Sequence, residues 1–144
     1  MARTTGDIVI DASAPSIMAV IADFSSYPSW ATGVDEAVVI EEGVGGRADL
    51  VRFSLNAPPI RDGYVLRYQW KPESVTWTLD EKGSMLVAMD GAYLLAPEPS
   101  GGTRVTYQLA VDVSIPLLGM LKRKAEKVII DTALKGLKAR VEGA

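Results

Sequence analysis

The side chains best suited to chemistry in this sequence are large aromatic rings that recur along four alternating segments. Six of them are Tyr64, Tyr68, Trp70, Trp77, Tyr93 and Tyr107. Alternation places such rings on one side of each strand, so neighbouring strands bring them to a common face. Rings of this kind pack a core, or they line a pocket in which their hydroxyl groups orient an apolar ligand. The pattern favours the binding of a small hydrophobic molecule, with a packed aromatic core as the alternative.

The chain contains neither histidine nor cysteine. The lack of histidine removes the usual proton shuttle, the commonest metal ligand and every Ser-His or Cys-His catalytic pair. The lack of cysteine removes disulfides, thiolate metal sites and thiol nucleophiles. We therefore expect no metal and no cofactor, and a non-catalytic protein is favoured over an enzyme.

Few charged side chains interrupt the apolar segments. Asp90 is the only carboxylate in the run 86–95, and a buried carboxylate with a raised pKa could act as an acid or base. The bend expected at Gly91 favours an outward position for Asp90 instead. Arg52 and Arg67 fall on the polar side of their strands, although they could also pair with an acidic ligand group.

The formal net charge of −3 gives no general attraction to nucleic acid. A basic cluster nevertheless stands near the start of the last predicted helix: Lys122, Arg123, Lys124 and Lys127. A solvated helix face explains it most simply. The alternative is a weak contact with an anionic membrane surface or with an acidic protein partner.

Length and composition indicate one globular domain over residues 1–144, because a chain of this size can bury a substantial core. The N-terminal residues lack the apolar region of a secretory signal, and no apolar run reaches the length of a membrane span. We therefore expect a soluble, cytoplasmic protein.

The predicted elements begin with a strand and a helix. Residues 6–12 alternate as a strand does, and Ser13 followed by Pro15 is typical of a helix start. A break at 25–28 and a short helix at 29–31 come next. Six more strands are predicted at 37–42, 47–55, 60–70, 74–80, 84–96 and 103–113, and a last helix at 116–141.

The last helix is apolar over a wide arc. One stripe runs through Leu121, Ala125 and Val128 and ends in the small residues Thr132 and Gly136, which either pack closely or leave room for a ligand. A second stripe includes Ile130, Leu134 and Leu137. Strands in a run with helices at the ends predict an α+β fold, in which a seven-stranded curved antiparallel sheet wraps around the long C-terminal helix.

Several segments resemble one known superfamily in their order and spacing. They are IVIDASAP at 8–15, VIADF at 20–24, YPSW at 27–30, VTW at 75–77, DGAY at 90–93, GTRVTY at 102–107 and the helix 121–142. The chain is similar to small single-domain bacterial members of the START-like, or polyketide cyclase/dehydrase (SRPBCC), superfamily with its helix-grip fold. The resemblance covers nearly the whole chain and implies an apolar cavity under the C-terminal helix.

Superfamily members include lipid carriers, quinone- and hormone-binding proteins, and aromatase/cyclases of polyketide synthesis. The resemblance implies that an aromatase/cyclase would place an arginine in the cavity. In this sequence Trp70 aligns with that arginine and Arg67 falls on the polar side of the strand. This departure counts against cyclase chemistry.

Together these observations predict the binding or carriage of a lipid-like or aromatic polyketide-like molecule. The alternatives are a polyketide aromatase/cyclase or dehydratase that uses the same cavity, and a protein-interaction module that uses the basic cluster. The predicted ligand-binding residues are Trp30, Phe53, Tyr64, Tyr68, Trp70, Trp77, Met89, Tyr93, Tyr107, Leu121, Ala125, Val128 and Thr132.

Overall fold

The computed structural model describes residues 3–57, 60–114 and 119–143. Its strands are β1 (Thr4–Ile10), β2 (Val34–Glu42), β3 (Ala48–Ala57), β4 (Ile60–Lys71), β5 (Ser74–Glu81), β6 (Leu86–Pro97) and β7 (Thr103–Val113). Its helices are α1 (Ala14–Ala22), α2 (Tyr27–Trp30) and α3 (Gly119–Gly143). The strands form one antiparallel sheet in the order β1-β7-β6-β5-β4-β3-β2. The predicted α+β helix-grip fold is confirmed.

The first helix begins where the sequence predicts it. The Ser13 hydroxyl accepts a hydrogen bond from the Ser16 backbone N–H, and Pro15 lies in the first turn, where a missing N–H costs nothing. Ile17 and Ile21 lie on the buried side of α1. They fasten this helix to the core.

The segment after α1 differs from its prediction, which was a break at 25–28 followed by a short helix at 29–31. A 3₁₀ turn spans Phe24–Ser26, and α2 begins directly after it at Tyr27. Pro28 occupies the first turn of α2, where proline is compatible with a helix and starts it. Pro28 therefore marks the start of a helix, where the sequence predicts a break.

Strand boundaries also shift by a few residues. β1 begins two residues before the predicted segment because Thr4 pairs with Leu109 and Ile10 with Thr103. β2 begins at Val34 rather than at residue 37, and β3 continues to Ala57 rather than ending at residue 55. Cross-strand pairing decides these limits, and local residue preferences do not contain that information. The predicted start of the last helix at 116–118 lies outside the described residues.

Helix α3 packs against the β1 and β7 end of the sheet through its second predicted stripe. Ile130, Leu134 and Leu137 are buried there. Gly6 on β1 lies against the Ile130 side chain, and Gly136 lies against the backbone carbonyl of Trp30, so both glycines allow close approach. For Gly136, of the two interpretations left open by the sequence, the structure shows close packing.

One charged residue on α3 is completely enclosed. Glu126 is 1% exposed, and its carboxylate accepts hydrogen bonds from the Thr4 hydroxyl at 2.6 Å and from the Val111 backbone N–H at 2.8 Å. Val111 lies two residues past Leu109, the partner of Thr4 at the start of β1. The carboxylate thus satisfies a backbone donor on β7 beyond the beginning of β1, which a buried strand would otherwise leave unpaired.

The outer face of the sheet carries several ion pairs. Asp90 pairs with Arg3, and Arg67 pairs with Asp80 at 3.1 Å on the adjacent strand. Arg52 is exposed. Asp90 and both arginines therefore lie on the side of the sheet away from α3, as their alternation indicates. None of the helices within the described ranges combines the length and apolarity needed to cross a lipid bilayer.

Candidate ligand-binding cavity

A cavity of about 290 Å³ lies between the concave face of the sheet and α3. This volume is close to the lower limit of about 300 Å³ for ligand pockets. The sheet side is lined mainly by Phe53, Leu55, Tyr64, Leu66, Tyr68, Trp77, Leu86, Met89, Tyr93, Tyr107, Leu109 and Val111. The helix side is lined by Tyr27, Trp30, Ala31, Ala125, Val128, Ile129, Thr132 and Ala133.

The aromatic rings of the sheet side form a continuous wall. Tyr107 lies 4.7 Å from Tyr93 and 5.5 Å from Trp77 between ring centroids, and Trp77 lies 5.8 Å from Tyr68. Tilted and edge-to-face arrangements at these distances are the favourable geometries for aromatic pairs. The rings hold one another in place, so the wall does not collapse into the empty space.

Five tyrosines border the cavity, and the hydroxyl of one of them is already used. Tyr27 donates to the Ile21 carbonyl, which ties α2 to the end of α1. The other four, Tyr64, Tyr68, Tyr93 and Tyr107, are each 6–8% exposed. Among the described residues, none of these four hydroxyls has a hydrogen-bond partner, and buried hydroxyls ordinarily have one. They are therefore available to a molecule in the cavity.

Burial raises the pKa of all five tyrosines, because the charged phenolate would be poorly solvated. Neighbouring tyrosines raise the pKa of Tyr64, Tyr68 and Tyr93 further, because two phenolates close together would repel each other. Their hydroxyls consequently keep their protons at neutral pH. They can donate hydrogen bonds to a ligand, but they are poor proton acceptors.

A second kind of donor lies at the helix side. The indole N–H of Trp30 is buried and has no hydrogen-bond partner within the described part of the chain. An indole nitrogen is a donor only, so it requires an acceptor. An unpaired buried donor costs about 1–3 kcal/mol, which makes such a group an exception that calls for an explanation.

No charged side chain lines the cavity among the residues that the structure describes. The same residues contain no cluster of three or more acidic groups arranged to hold a metal ion. The polar groups available are hydroxyls, indoles and the side chain of Asn56. Such a site can bind and orient a molecule through apolar contact and hydrogen bonds.

The cavity opens between α2, β3 and α3. Thr32 and Asn56 are exposed residues of the lining, and Val128 is 55% exposed. The Asn56 backbone N–H donates to the Gly33 carbonyl at 2.6 Å, which joins the loop after α2 to the end of β3. Gly33 adopts a φ of 92°, a conformation that favours glycine. This bond fixes one side of the opening.

Of the residues predicted to bind a ligand, the structure brings most to the cavity. Those in its lining are Trp30, Phe53, Tyr64, Tyr68, Trp77, Met89, Tyr93, Tyr107, Ala125, Val128 and Thr132. Their role in binding stays a prediction. Trp70 and Leu121 lie outside the lining.

Trp70 shares the inward face of β4 with Tyr68, but the fold fills the space around it. Its indole N–H donates to the Ala48 carbonyl at 2.7 Å, and the Arg47 guanidinium lies 5.4 Å from its ring. Phe24 packs against its inner side. Leu121 is 52% exposed because the first turns of α3 extend past the core. The first predicted stripe reaches the cavity only from Ala125 onward.

The basic cluster is partly neutralised within the chain. Lys122 pairs with Asp112, and Lys127 pairs with Asp131, both at 2.8 Å. Arg123 and Lys124 are exposed. The predicted contact with a membrane surface or an acidic partner stays a prediction.

Several lining residues were not among the predicted ligand-binding set. Leu66 and Val111 share the inward parity of Tyr64 and Tyr107, so alternation alone identifies them. Ile129 and Ala133 follow from the apolar arc of α3. Thr32 and Asn56 come from connecting segments, whose position no periodic pattern reveals.

The comparisons with known proteins agree with this architecture. A family model described as polyketide cyclase / dehydrase and lipid transport matches residues 1–142. The chain therefore belongs to the polyketide cyclase/dehydrase and lipid transport family, as the sequence segments indicated. Comparison with curated proteins gives no significant match.

Solved structures support the same fold. A START superfamily protein from Mycobacterium smegmatis is 19% identical with a TM-score of 0.90, and the alignment covers 99% of each chain. TTHA0849 from Thermus thermophilus is 22% identical with a TM-score of 0.80, over 98% of this chain and 97% of that one. The Zhui aromatase/cyclase from a Streptomyces species is 14% identical with a TM-score of 0.75, over 97% of this chain and 93% of that one. At these identities the likeness establishes the fold alone.

Proposed function

We propose that this protein binds and carries a small hydrophobic molecule, lipid-like or aromatic, in the cavity under α3 and acts in the cytoplasm. The observation that carries the proposal is the aromatic-walled cavity of about 290 Å³ itself. Protein interiors are close-packed, and voids much larger than a water molecule are few because they forfeit dispersion contacts. A hollow of this size, with apolar walls and an exposed rim, is best explained by an occupant.

Uptake of a neutral fluorescent probe, N-phenyl-1-naphthylamine, tests this proposal directly. We expect enhanced emission with saturable, one-to-one binding to the wild-type protein. Ala133 lines the cavity and Ala139 is exposed on the same helix, so they form a matched pair. Ala133→Phe fills part of the void and should weaken probe binding, whereas Ala139→Phe should not.

Ala125→Phe is a second cavity-filling variant, which keeps the test decisive if Ala133→Phe does not fold. Circular dichroism and a thermal melt establish that each variant is folded. Native mass spectrometry of the purified protein should also show a bound apolar compound or uptake of the probe. Absence of saturable binding by the folded wild-type protein would refute the proposal.

The second candidate is an enzyme of the aromatase/cyclase or dehydratase type. The family description supports it, as do the four tyrosine hydroxyls that face the cavity without a partner among the described residues. Because burial raises the pKa of these tyrosines, they would act by donating hydrogen bonds to carbonyl oxygens. Removal of a proton by a tyrosine is disfavoured. Orientation of a reactive chain in the cavity would supply the remaining acceleration.

Turnover of a poly-β-ketone substrate distinguishes the enzyme from the carrier. Tyr68→Phe and Tyr93→Phe each remove one hydroxyl and leave the ring in place. An enzyme of this kind should lose kcat in both variants, whereas a carrier shows no turnover in any form of the protein. Unchanged turnover in both variants would contradict the role given to the hydroxyls.

A further inference from the structure

The walls of the cavity restrict the charge of any molecule inside it, and this inference rests on the proposed function. The lining contains no Lys, Arg, Asp or Glu among the described residues. The sequence has only Pro at 58–59 and only Ile, Pro and Leu at 115–118. An ion that enters such a site loses its hydration without meeting a charge of opposite sign.

Two carboxylates near tyrosines of the lining add to the disadvantage of an anion. After burial and Tyr107, Asp62 is the next group that raises the pKa of Tyr64, and Asp23 likewise raises that of Tyr27. Neither carboxylate lines the cavity and both reach solvent, which screens them, so they add only a small further disadvantage for an anion inside. Asp62 is held by hydrogen bonds from Ser84, Met85 and Leu86, which keep it in place.

The hydroxyl groups of Tyr64, Tyr68, Tyr93 and Tyr107 can donate to an acceptor in the cavity, because they hold their protons and have no partner among the described residues. The Trp30 indole N–H is enclosed by the protein and is not one of these donors. A purely hydrocarbon occupant would leave all these donors unsatisfied, which lowers its affinity.

We infer that the cavity selects an uncharged hydrophobic molecule with at least one hydrogen-bond-accepting oxygen, such as a ketone, and rejects carboxylates and ammonium ions of the same size. The apolar rings supply most of the binding free energy. The tyrosine hydroxyl donors supply the preference for the oxygen.

Four naphthalenes of nearly equal size test this selectivity by competition with N-phenyl-1-naphthylamine at pH 7. They are 2-acetylnaphthalene, 2-isopropylnaphthalene, 2-naphthoate and 1-(2-naphthyl)ethylammonium. We expect the ketone to bind at least about tenfold more tightly than either ion, since an unpaired buried charge costs more than one tenfold step in affinity. The ketone should also exceed the hydrocarbon once both affinities are corrected for transfer from water to an apolar solvent.

The ratio of ketone affinity to hydrocarbon affinity measures what the hydrogen-bond donors of the cavity contribute, because only the ketone can accept a hydrogen bond. Tyr93→Phe and Tyr107→Phe should each lower that ratio by about two- to tenfold, the usual net worth of one hydrogen bond. Thr106→Val removes a hydroxyl from the outer face of the same strand as Tyr107 and should leave the ratio unchanged. Because the hydrocarbon serves as an internal control, a general distortion of the cavity does not imitate the effect.

The outcomes separate the inference from the function on which it rests. Binding of the probe and of all four naphthalenes with similar affinity, or tighter binding of either ion, would overturn the selectivity and leave the carrier function standing. Failure of the probe and of every naphthalene to bind would overturn both. A ketone-to-hydrocarbon ratio that is the same in wild type, Tyr93→Phe and Tyr107→Phe would overturn the role of the donors.

Discussion

Gly91 lies directly beneath the indole ring of Trp77, so close that a β-carbon at position 91 would overlap the ring. The two residues are paired across β5 and β6. Trp77 can therefore lie flat over its neighbour and present its other face to the cavity. Gly91, where the sequence predicts a bend in an apolar strand, thus provides the space that the Trp77 ring occupies.

Gly91→Ala should displace Trp77 and destabilise the protein. We expect a loss of about 1–3 kcal/mol in the free energy of unfolding, the usual cost of overpacking a core. Urea denaturation followed by circular dichroism measures it. Gly63→Ala is the control, because its β-carbon would meet nothing closer than the Phe53 carbonyl oxygen at 3.7 Å. Equal losses of unfolding free energy in the two variants would contradict the close packing of the Trp77 ring against Gly91.

Two tyrosine-to-phenylalanine variants should differ in stability. Tyr27→Phe removes a hydroxyl that is bonded to the Ile21 carbonyl, and we expect a loss of about 0.5–1.5 kcal/mol, the net worth of one hydrogen bond. Tyr64→Phe removes a hydroxyl without a partner in the described residues and should change stability by less than about 0.5 kcal/mol. Thermal and urea unfolding of the ligand-free protein compare them. A loss in Tyr64→Phe as large as that in Tyr27→Phe would show that its hydroxyl is engaged.

Asp62→Asn should lower stability at neutral pH but not in strong acid. Partial burial alone would raise the pKa of Asp62, but hydrogen bonds from the backbone of Leu86, Met85 and Ser84 and from the Ser84 hydroxyl outweigh it and hold the pKa below its usual value. A carboxylate with a lowered pKa stabilises the fold above its unfolded-state pKa, and this contribution is lost as the pH falls through the folded-state pKa.

We therefore expect Asp62→Asn to cost about 1–3 kcal/mol at pH 7, because an amide cannot accept all of these bonds. The gap from wild type should close as the pH falls below the folded-state pKa. Unfolding midpoints over a pH series measure it. Asp35→Asn, at an exposed carboxylate on β2, is the control and should show no such gap. A gap that does not change with pH would contradict the assignment.

Glu126→Met should loosen the junction between α3 and β7. The thioether is only a weak acceptor, so the buried Val111 N–H loses its partner at a cost of about 1–3 kcal/mol. Amide hydrogen exchange at Val111 should become faster. Thr4→Val removes only the hydroxyl bond and should leave exchange at Val111 much less affected. Unaltered exchange in Glu126→Met would show that the carboxylate does not protect this amide.

The sequence predicts the order of elements, the antiparallel sheet and the inward face of each strand, because alternation and turn residues are local signals. It also places most of the cavity aromatics, since parity along β4 and β7 carries Tyr64, Tyr68 and Tyr107 to one side. Local signals do not predict which inward side chains reach the cavity, because this depends on how other elements pack around them. Trp70 has the inward parity of Tyr68, yet Phe24 and the Ala48 carbonyl fill its surroundings.

Glu126 illustrates a different limit. On a helix that carries Lys124 and Lys127, a glutamate has the composition of a solvated face, and nothing in its spacing indicates burial. Only the register of β1 against β7 reveals that Val111 needs an acceptor at this place. The same holds for Trp30, whose unsatisfied indole depends on where α2 lies against α3.

The buried position of Glu126 also affects the tendency of this protein to aggregate at high concentration. A β-strand whose amide points outward is a template on which another polypeptide can lay down a strand of its own, the first step of sheet-to-sheet aggregation. The Val111 N–H already donates to the Glu126 carboxylate of the same chain. A strand of another polypeptide therefore cannot pair with this amide.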